Sequence, residues 1–171
     1  SDRRHVVNVS LVTQTPEYSN NTMRVLFSNW QFAPLVRWQS GNRSTITTGV
    51  DNALTGMGGQ RGVQILDDPY GDGTPANYLN RAAFTTPATG TYSDLAPFSV
   101  VNPSRLTNDL AISRTFRLGT GQGFQFRWEI FNVINHVNYN APTTALNSAN
   151  FGRILGAGDP RIMQFALKVD F

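Results

Sequence analysis

At the end of the chain, apolar and polar residues alternate with a period of two. In RIMQFALKVDF, residues Met163, Phe165, Leu167, Val169 and Phe171 fall on one face of an extended ribbon, and Gln164, Ala166, Lys168 and Asp170 fall on the other. QGFQFRWEIFNVINH repeats the pattern, with Phe124, Phe126, Trp128 and Ile130 set against Gln125, Arg127 and Glu129. As a helix, the same charges would interrupt the apolar stripe. TNDLAISRTFRLG predicts a third strand with Leu110, Ile112, Phe116 and Leu118 on one side, where Arg114 breaks the pattern. Gly119 to Gly121 are expected to close a short hairpin onto the next strand, because glycine tolerates the positive φ of such turns. Further upstream, NWQFAPLVRWQSG sets Trp30, Phe32, Val36 and Trp38 against Gln31, Arg37 and Gln39, then turns at Ser40 to Asn42 into a Thr-rich run, STITTGV. Pro34 has no N–H to give a ladder, so it is expected to mark a bulge or an unpaired edge position. HVVNVSLVTQT, with Val7, Val9 and Leu11 facing one way, is the sixth candidate strand.

Residues 51–105 are rich in Gly, Pro, Asn and Asp and hold no sustained period. A second aperiodic stretch, NYNAPTTALNSANFGRILGAGDP, separates the last two strands. Loops of this length are uncommon in compact soluble domains. They are ordinary on the outer side of membrane barrels, whose strands cross the bilayer in about 9–11 residues with apolar side chains toward lipid and polar ones toward the lumen. A soluble β-sandwich alternates equally well, because one face of each sheet packs on a partner sheet. Periodicity alone leaves both architectures open.

Composition narrows the function classes. The 171 residues suit one domain, and 14 Lys plus Arg against 11 Asp plus Glu leave a net charge of only +3, too scattered to argue for a nucleic-acid partner. Absence of cysteine removes disulfides, thiolate metal sites and cysteine nucleophiles. Low charge (15%) with 11% aromatics favours β structure joined by polar loops. No run has the length of a transmembrane helix, and SDRRHVV has neither an initiating Met nor a signal-peptide core, so the chain is expected to be cut from something longer.

Candidate chemistry is sparse. His5 and His136 have no second histidine or carboxylate at metal-ligand spacing. Asp67, Asp68, Asp72 and Asp94 cluster near glycines but lack the ligand order of a calcium loop, and turn formation explains DDPYGDG better. GMGGQRG, starting at Gly56, shares only its glycine count with a phosphate cradle and reads as a flexible loop. No nucleophile elbow organises the Ser, Asp and His residues. Arg37, Arg127, Glu129 and Lys168 lie on polar strand faces, where cross-strand charge pairs in a barrel lumen are expected. The expectation is therefore a non-enzymatic chain, with no catalytic, cofactor or metal residue assigned and no cofactor called for.

Several segments together resemble the C-terminal region of Oar-like TonB-dependent receptors: DRRHVVNVS at Asp2, NWQFAPLVRWQSG at Asn29, NRAAFTTPATGTYSDL at Asn80, LTNDLAISRTFRLG at Leu106, FRWEIFNVINHVNYNAP at Phe126, LNSANFGRI at Leu146 and GDPRIMQFALKVDF at Gly158. The resemblance runs nearly end to end and implies an outer-membrane transporter with an N-terminal plug, a TonB-box segment and a barrel of about 22 strands. The expected fold is all-β: an antiparallel meander of about six strands with long loops, residues 1–171 forming a single C-terminal segment of an outer-membrane-type barrel and 51–105 a long extracellular-type loop. The smallest closed outer-membrane barrels need about eight strands, so the sheet edges call for neighbours. The expected partners are the remainder of the barrel or copies of the chain itself, together with outer-membrane lipid and no nucleic acid. Alternatives are a cleaved or standalone fragment that self-assembles by edge pairing into an extracellular oligomer or filament, and a soluble carbohydrate-binding β-sandwich.

Overall fold

The computed structural model describes residues 3–117 and 122–170. Its elements run in the order β1 (Val6–Ser10), β2 (Thr13–Gln14), helix α1 (Asn21–Phe27), β3 (Trp30–Gln39), β4 (Arg43–Ser44), β5 (Val63–Gln64), β6 (Tyr70–Thr74), β7 (Asn77–Leu79), a 3-10 turn (Arg81–Ala83), β8 (Phe84–Thr85), β9 (Val100–Val101), β10 (Arg105–Arg117), β11 (Gly123–Phe131) and β12 (Ile162–Asp170). The expected hairpin turn at Gly119 to Gly121, with Leu118 and Phe171, lies outside the described residues. The chain divides into two compact units, one of residues 6–38, 106–137 and 159–171, the other of residues 1–5, 39–105 and 138–158.

The first unit is the long-strand sheet, of order β1-β3-β10-β11-β12 with β2 also paired to β3, so that it counts six strands. Pairing of β10 with β11 and of β11 with β12 is antiparallel and unbroken, placing Ile112 opposite Trp128 and Trp128 opposite Phe165. Because side chains alternate across a strand, this register puts Leu110, Ile112, Phe124, Phe126, Trp128, Ile130, Met163, Phe165, Leu167 and Val169 on a single face. Aromatic pairs reinforce it: Phe116 stacks on Phe124 at 4.4 Å, and Trp128 on Phe165 at 5.6 Å. A sandwich would bury this face under a second sheet, yet Phe165 and Leu167 are each 66% exposed. The sandwich reading falls on that observation.

Three strand expectations are corrected. Pro34 causes no bulge: β3 runs straight through it, and its carbonyl accepts from the Leu11 amide at 3.2 Å. The irregularity sits on the neighbouring ribbon, where Leu11 and Val12 interrupt β1 and β2 opposite the missing N–H. STITTGV is not a wall strand. Arg43–Ser44 pairs with β9 and Thr47 makes isolated bridges to Arg61 and Ala145, while Ile46 and Thr48 are fully buried in the second unit. The predicted run through His136 also ends early, at Phe131, because Asn132 adopts a left-handed φ of 52°.

The second unit takes in most of residues 51–105, yet it carries a core of its own. Ile46, Leu79, Ala83, Phe84, Val100, Leu146 and Phe151 cluster, with Tyr70, Tyr78 and Leu95 packed around them. Short antiparallel pairs β4–β9, β5–β8 and β6–β7 frame this cluster. Phe84 meets Phe151 edge to face at 5.7 Å. Tyr70 and Tyr78 bracket β9: the Val101 amide donates to the Tyr70 hydroxyl at 2.8 Å, and the Tyr78 hydroxyl donates to the Val101 carbonyl at 3.0 Å. Burial pushes the Tyr78 phenol above its ordinary range. Gly152, at φ 77°, is required at its position, because a Cβ there would lie 2.3 Å from the Leu79 carbonyl oxygen.

Candidate functional site

The polar face of the sheet is built from the positions between the apolar ones. One ion pair joins two of its charges along a strand. Arg127 and Glu129, two residues apart on β11 and so on the same face, form an ion pair at 2.5 Å. Across the strands the contacts are charge to amide: Gln164 donates to Glu129, and Arg37 Nε donates to Asn8 Oδ1 at 3.0 Å. Lys168 lies opposite Gln125. A neutral amide partner leaves a charged side chain free to rotate toward solvent with little loss, which suits a water-lined surface.

At the end of the sheet where β10 finishes and β3 begins, a cavity of about 530 Å³ opens, lined by Gln14, Gln31, Ser113 and Thr115 from the polar positions and by Glu17. Arg24, Arg114 and Arg117 also border it, so cationic groups outnumber the carboxylate. Ser113 Oγ donates to Gln31 Oε1 at 3.4 Å across the β3–β10 seam. Hydrogen bonding and positive charge are what this cavity offers a polar or anionic solute.

Arg114, the residue that breaks the apolar pattern, is explained here. It is buried, and its guanidinium donates to the carbonyls of Leu26 at 3.2 Å, Arg24 at 3.4 Å and Val25. It also lies 4.3 Å from the Phe116 ring centroid and 5.3 Å from that of Trp30. A planar guanidinium can stack between aromatics while it holds several carbonyls, whereas a lysine ammonium has donors but no face to stack. The break in period was the sequence signal, and α1, a helix of seven residues, left none strong enough to be predicted.

The signals EIFNVINH and GDPRI are joined physically. Asn132 Nδ2 donates to the carbonyls of His136 at 2.9 Å and Asp159 at 3.3 Å, while its Oδ1 accepts from the His136 amide. Asn135 Oδ1 accepts from the Arg161 amide at 3.0 Å, and Arg161 Nη1 donates to the Val133 carbonyl. These bonds clamp both ends of the 132–161 connection, so β11 and β12 leave and re-enter the sheet in register. His136 is held through its backbone, as is His5, whose amide donates to Ser40 Oγ at 3.1 Å.

The acidic loop is turn chemistry. Asp68 Oδ1 accepts from the Tyr70 amide and Asp72 Oδ1 from the Thr74 amide, each at 2.9 Å. The Thr74 amide and hydroxyl beside Asp72 hold its carboxyl below the usual range. Among the described residues no three His, Asp or Glu gather where a metal ion could be held. GMGGQRG is organised around Asp51, whose carboxylate accepts from Gln60 Nε2 at 2.7 Å and from the Gly56 amide at 2.6 Å. Those donors, Gln60 first, lower the Asp51 pKa. Because an acidic side chain fills the amide nest, the loop cannot cradle a phosphate.

Unbroken antiparallel strands of nine residues or more, an exposed apolar face and a hydrated polar face define the wall of an outer-membrane-type β-barrel. Residues 1–164 match the family model described as an outer membrane beta barrel domain, and the chain belongs to that family. Neither the curated proteins nor the solved structures gave a match. No helix among the described residues is long and apolar enough to cross a membrane.

Proposed function

We infer that the chain is the C-terminal wall segment of an Oar-like TonB-dependent receptor, a non-enzymatic outer-membrane transporter. The observation that carries this reading is the two-sidedness of β11 and β12. The outward residues of β12, Met163 to Val169, stand exposed and those of β11 are covered only in part, while Arg127, Glu129 and Gln164 on the opposite side are linked as a hydrated lumen wall would be. Among the described residues β1 and β12 each pair on one side only, so the sheet takes its neighbours from the rest of a larger barrel. The polar face lines the passage for solute. The second unit, with its own core, serves as a folded binding or structural element.

The same open edges favour a second reading, in which the fragment pairs with copies of itself into an extracellular oligomer or filament. Isolating the native polypeptide that carries this sequence separates the two. The transporter reading expects it in outer-membrane fractions, within a chain several times longer than 171 residues that is captured by the periplasmic domain of TonB. A free fragment seen as fibres by negative-stain microscopy would replace that reading with self-assembly.

A further inference from the structure

Helix α1 is closed at both ends in a way that water does not require. At its start, Asn20 Oδ1 accepts from the amides of Thr22 at 3.0 Å and Met23 at 3.3 Å. At its finish, the last carbonyls, which a helix leaves without internal partners, all find donors. Arg114 serves Arg24, Val25 and Leu26, Trp30 Nε1 also donates to Leu26 at 2.9 Å, and Thr15 Oγ1 donates to Phe27 at 2.6 Å. Backbone groups need such satisfaction where hydrocarbon replaces water. The side chains say the same: Met23, Val25, Leu26 and Phe27 are 46–64% exposed, while Asn21, Thr22 and Arg24 supply the polar positions.

Arg114 and Trp30 both project from the apolar face of the sheet, so the end of α1 is tied to that face. Beneath it lies an apolar recess of about 400 Å³, walled by Leu26 and Phe27 of the helix and by Trp30, Phe32, Ile112 and Trp128 of the sheet. The recess is continuous with the surface that the barrel family turns to lipid. It sits at the end of the sheet where β10 finishes at Arg117 and β11 begins at Gly123, and in such barrels the end where consecutive strands follow closely in sequence faces the periplasm.

We propose that α1 is an interfacial lipid anchor: Arg114 pins its capped C-terminus to the outer face of the barrel, and the recess between helix and sheet seats a phospholipid acyl chain of the periplasmic leaflet. Leu26 and Phe27 enter the acyl region while Asn21 and Arg24 stay at headgroup level, the depth taken by amphipathic interfacial helices. The assignment rests on the apolar face of the sheet meeting lipid, and the test distinguishes the two claims.

The full polypeptide is reconstituted in phosphatidylethanolamine and phosphatidylglycerol vesicles containing a phosphatidylethanolamine with a diazirine at the end of one acyl chain. After irradiation, adducts are mapped by mass spectrometry. Adducts are expected both on the peptide containing Leu26 to Trp30 and on β12 at Phe165 and Leu167. Arg114→Ala lowers the α1 adducts about tenfold, because charge-assisted hydrogen bonds are lost, and leaves those of β12 unchanged. Phe27→Asn, at an exposed position that does not endanger folding, lowers the α1 adducts in the same direction. Labelling of β12 without α1 overturns the anchor and points to protein covering the helix. Labelling of α1 that ignores both substitutions also overturns it. Labelling at neither place overturns the membrane-wall reading itself.

Discussion

Two regions of this chain solve the same problem against different solvents. In the second unit Ile46, Leu79, Phe84 and Val100 turn inward into a private core, each no more than 2% exposed, although others such as Leu54 and Phe98 stay at its surface. In β12 they turn outward, and Met163, Phe165, Leu167 and Val169 lie 46–66% exposed although nothing distinguishes them chemically from the core residues. Burial in protein stabilises the first set; transfer into the bilayer that a barrel wall faces stabilises the second. A fold that mixes the two needs a membrane for one part and water for the other.

Substitutions can break that comparison, beginning with the largest effect. Phe151→Ala removes half of the Phe84 pair and should cost about 3–5 kcal/mol, read as early proteolysis within residues 39–105 while the long strands stay protected. Leu167→Arg should cost about 2–4 kcal/mol of folding stability in a bilayer, against almost none for Ala166→Glu, opposite Arg127 on the polar face; denaturant titration in vesicles compares the two. Gly152→Ala should cost about 1–3 kcal/mol, because it forces a side chain into a left-handed position against the Leu79 carbonyl, and thermal unfolding of the second unit reports it. Arg127→Ala should change stability by less than about 1 kcal/mol, since the ion pair is solvated, and should act instead on the passage of charged solutes, measured by conductance or uptake. The smallest effect is pH-dependent. The Asp51 pKa is lowered from 3.8 in the folded state, so its contribution is present above that value and disappears as pH falls through the lower folded pKa. Amide exchange at Thr55 and Gly56, corrected for intrinsic rates, should rise over that acid window and at all pH values in Asp51→Asn.

The long-strand unit was legible in the sequence because a period of two is imposed on every residue of a strand with one face in lipid. Phe124 to Ile130 and Met163 to Val169 could be placed on a face by counting alone. The second unit was not legible, because its core draws on residues from scattered short segments. Ile46, Leu79, Phe84 and Phe151 share no period, and side-chain bonds such as Ser93 Oγ to the Gly62 carbonyl hold the segments together. STITTGV therefore read as a strand while its Ile46 and Thr48 were core residues. Helix α1 was hidden for the opposite reason: seven residues stand because Arg114, distant in sequence, holds their last carbonyls together with Trp30 and Thr15. The polar-face charges were placed correctly, but their partners were not, because alternation fixes the face and leaves open whether an ion pair runs along or across strands.

A nitroxide scan of residues 162–169 in reconstituted bilayers tests the central claim most directly, since this chain has no cysteine of its own to compete for the label. Labels at Met163, Phe165, Leu167 and Val169 should show high collision rates with oxygen and low rates with a water-soluble nickel chelate, and labels at Gln164, Ala166 and Lys168 the reverse. Uniform accessibility along the strand, or oxygen contact on the polar positions, would contradict a wall that meets lipid on one side and water on the other.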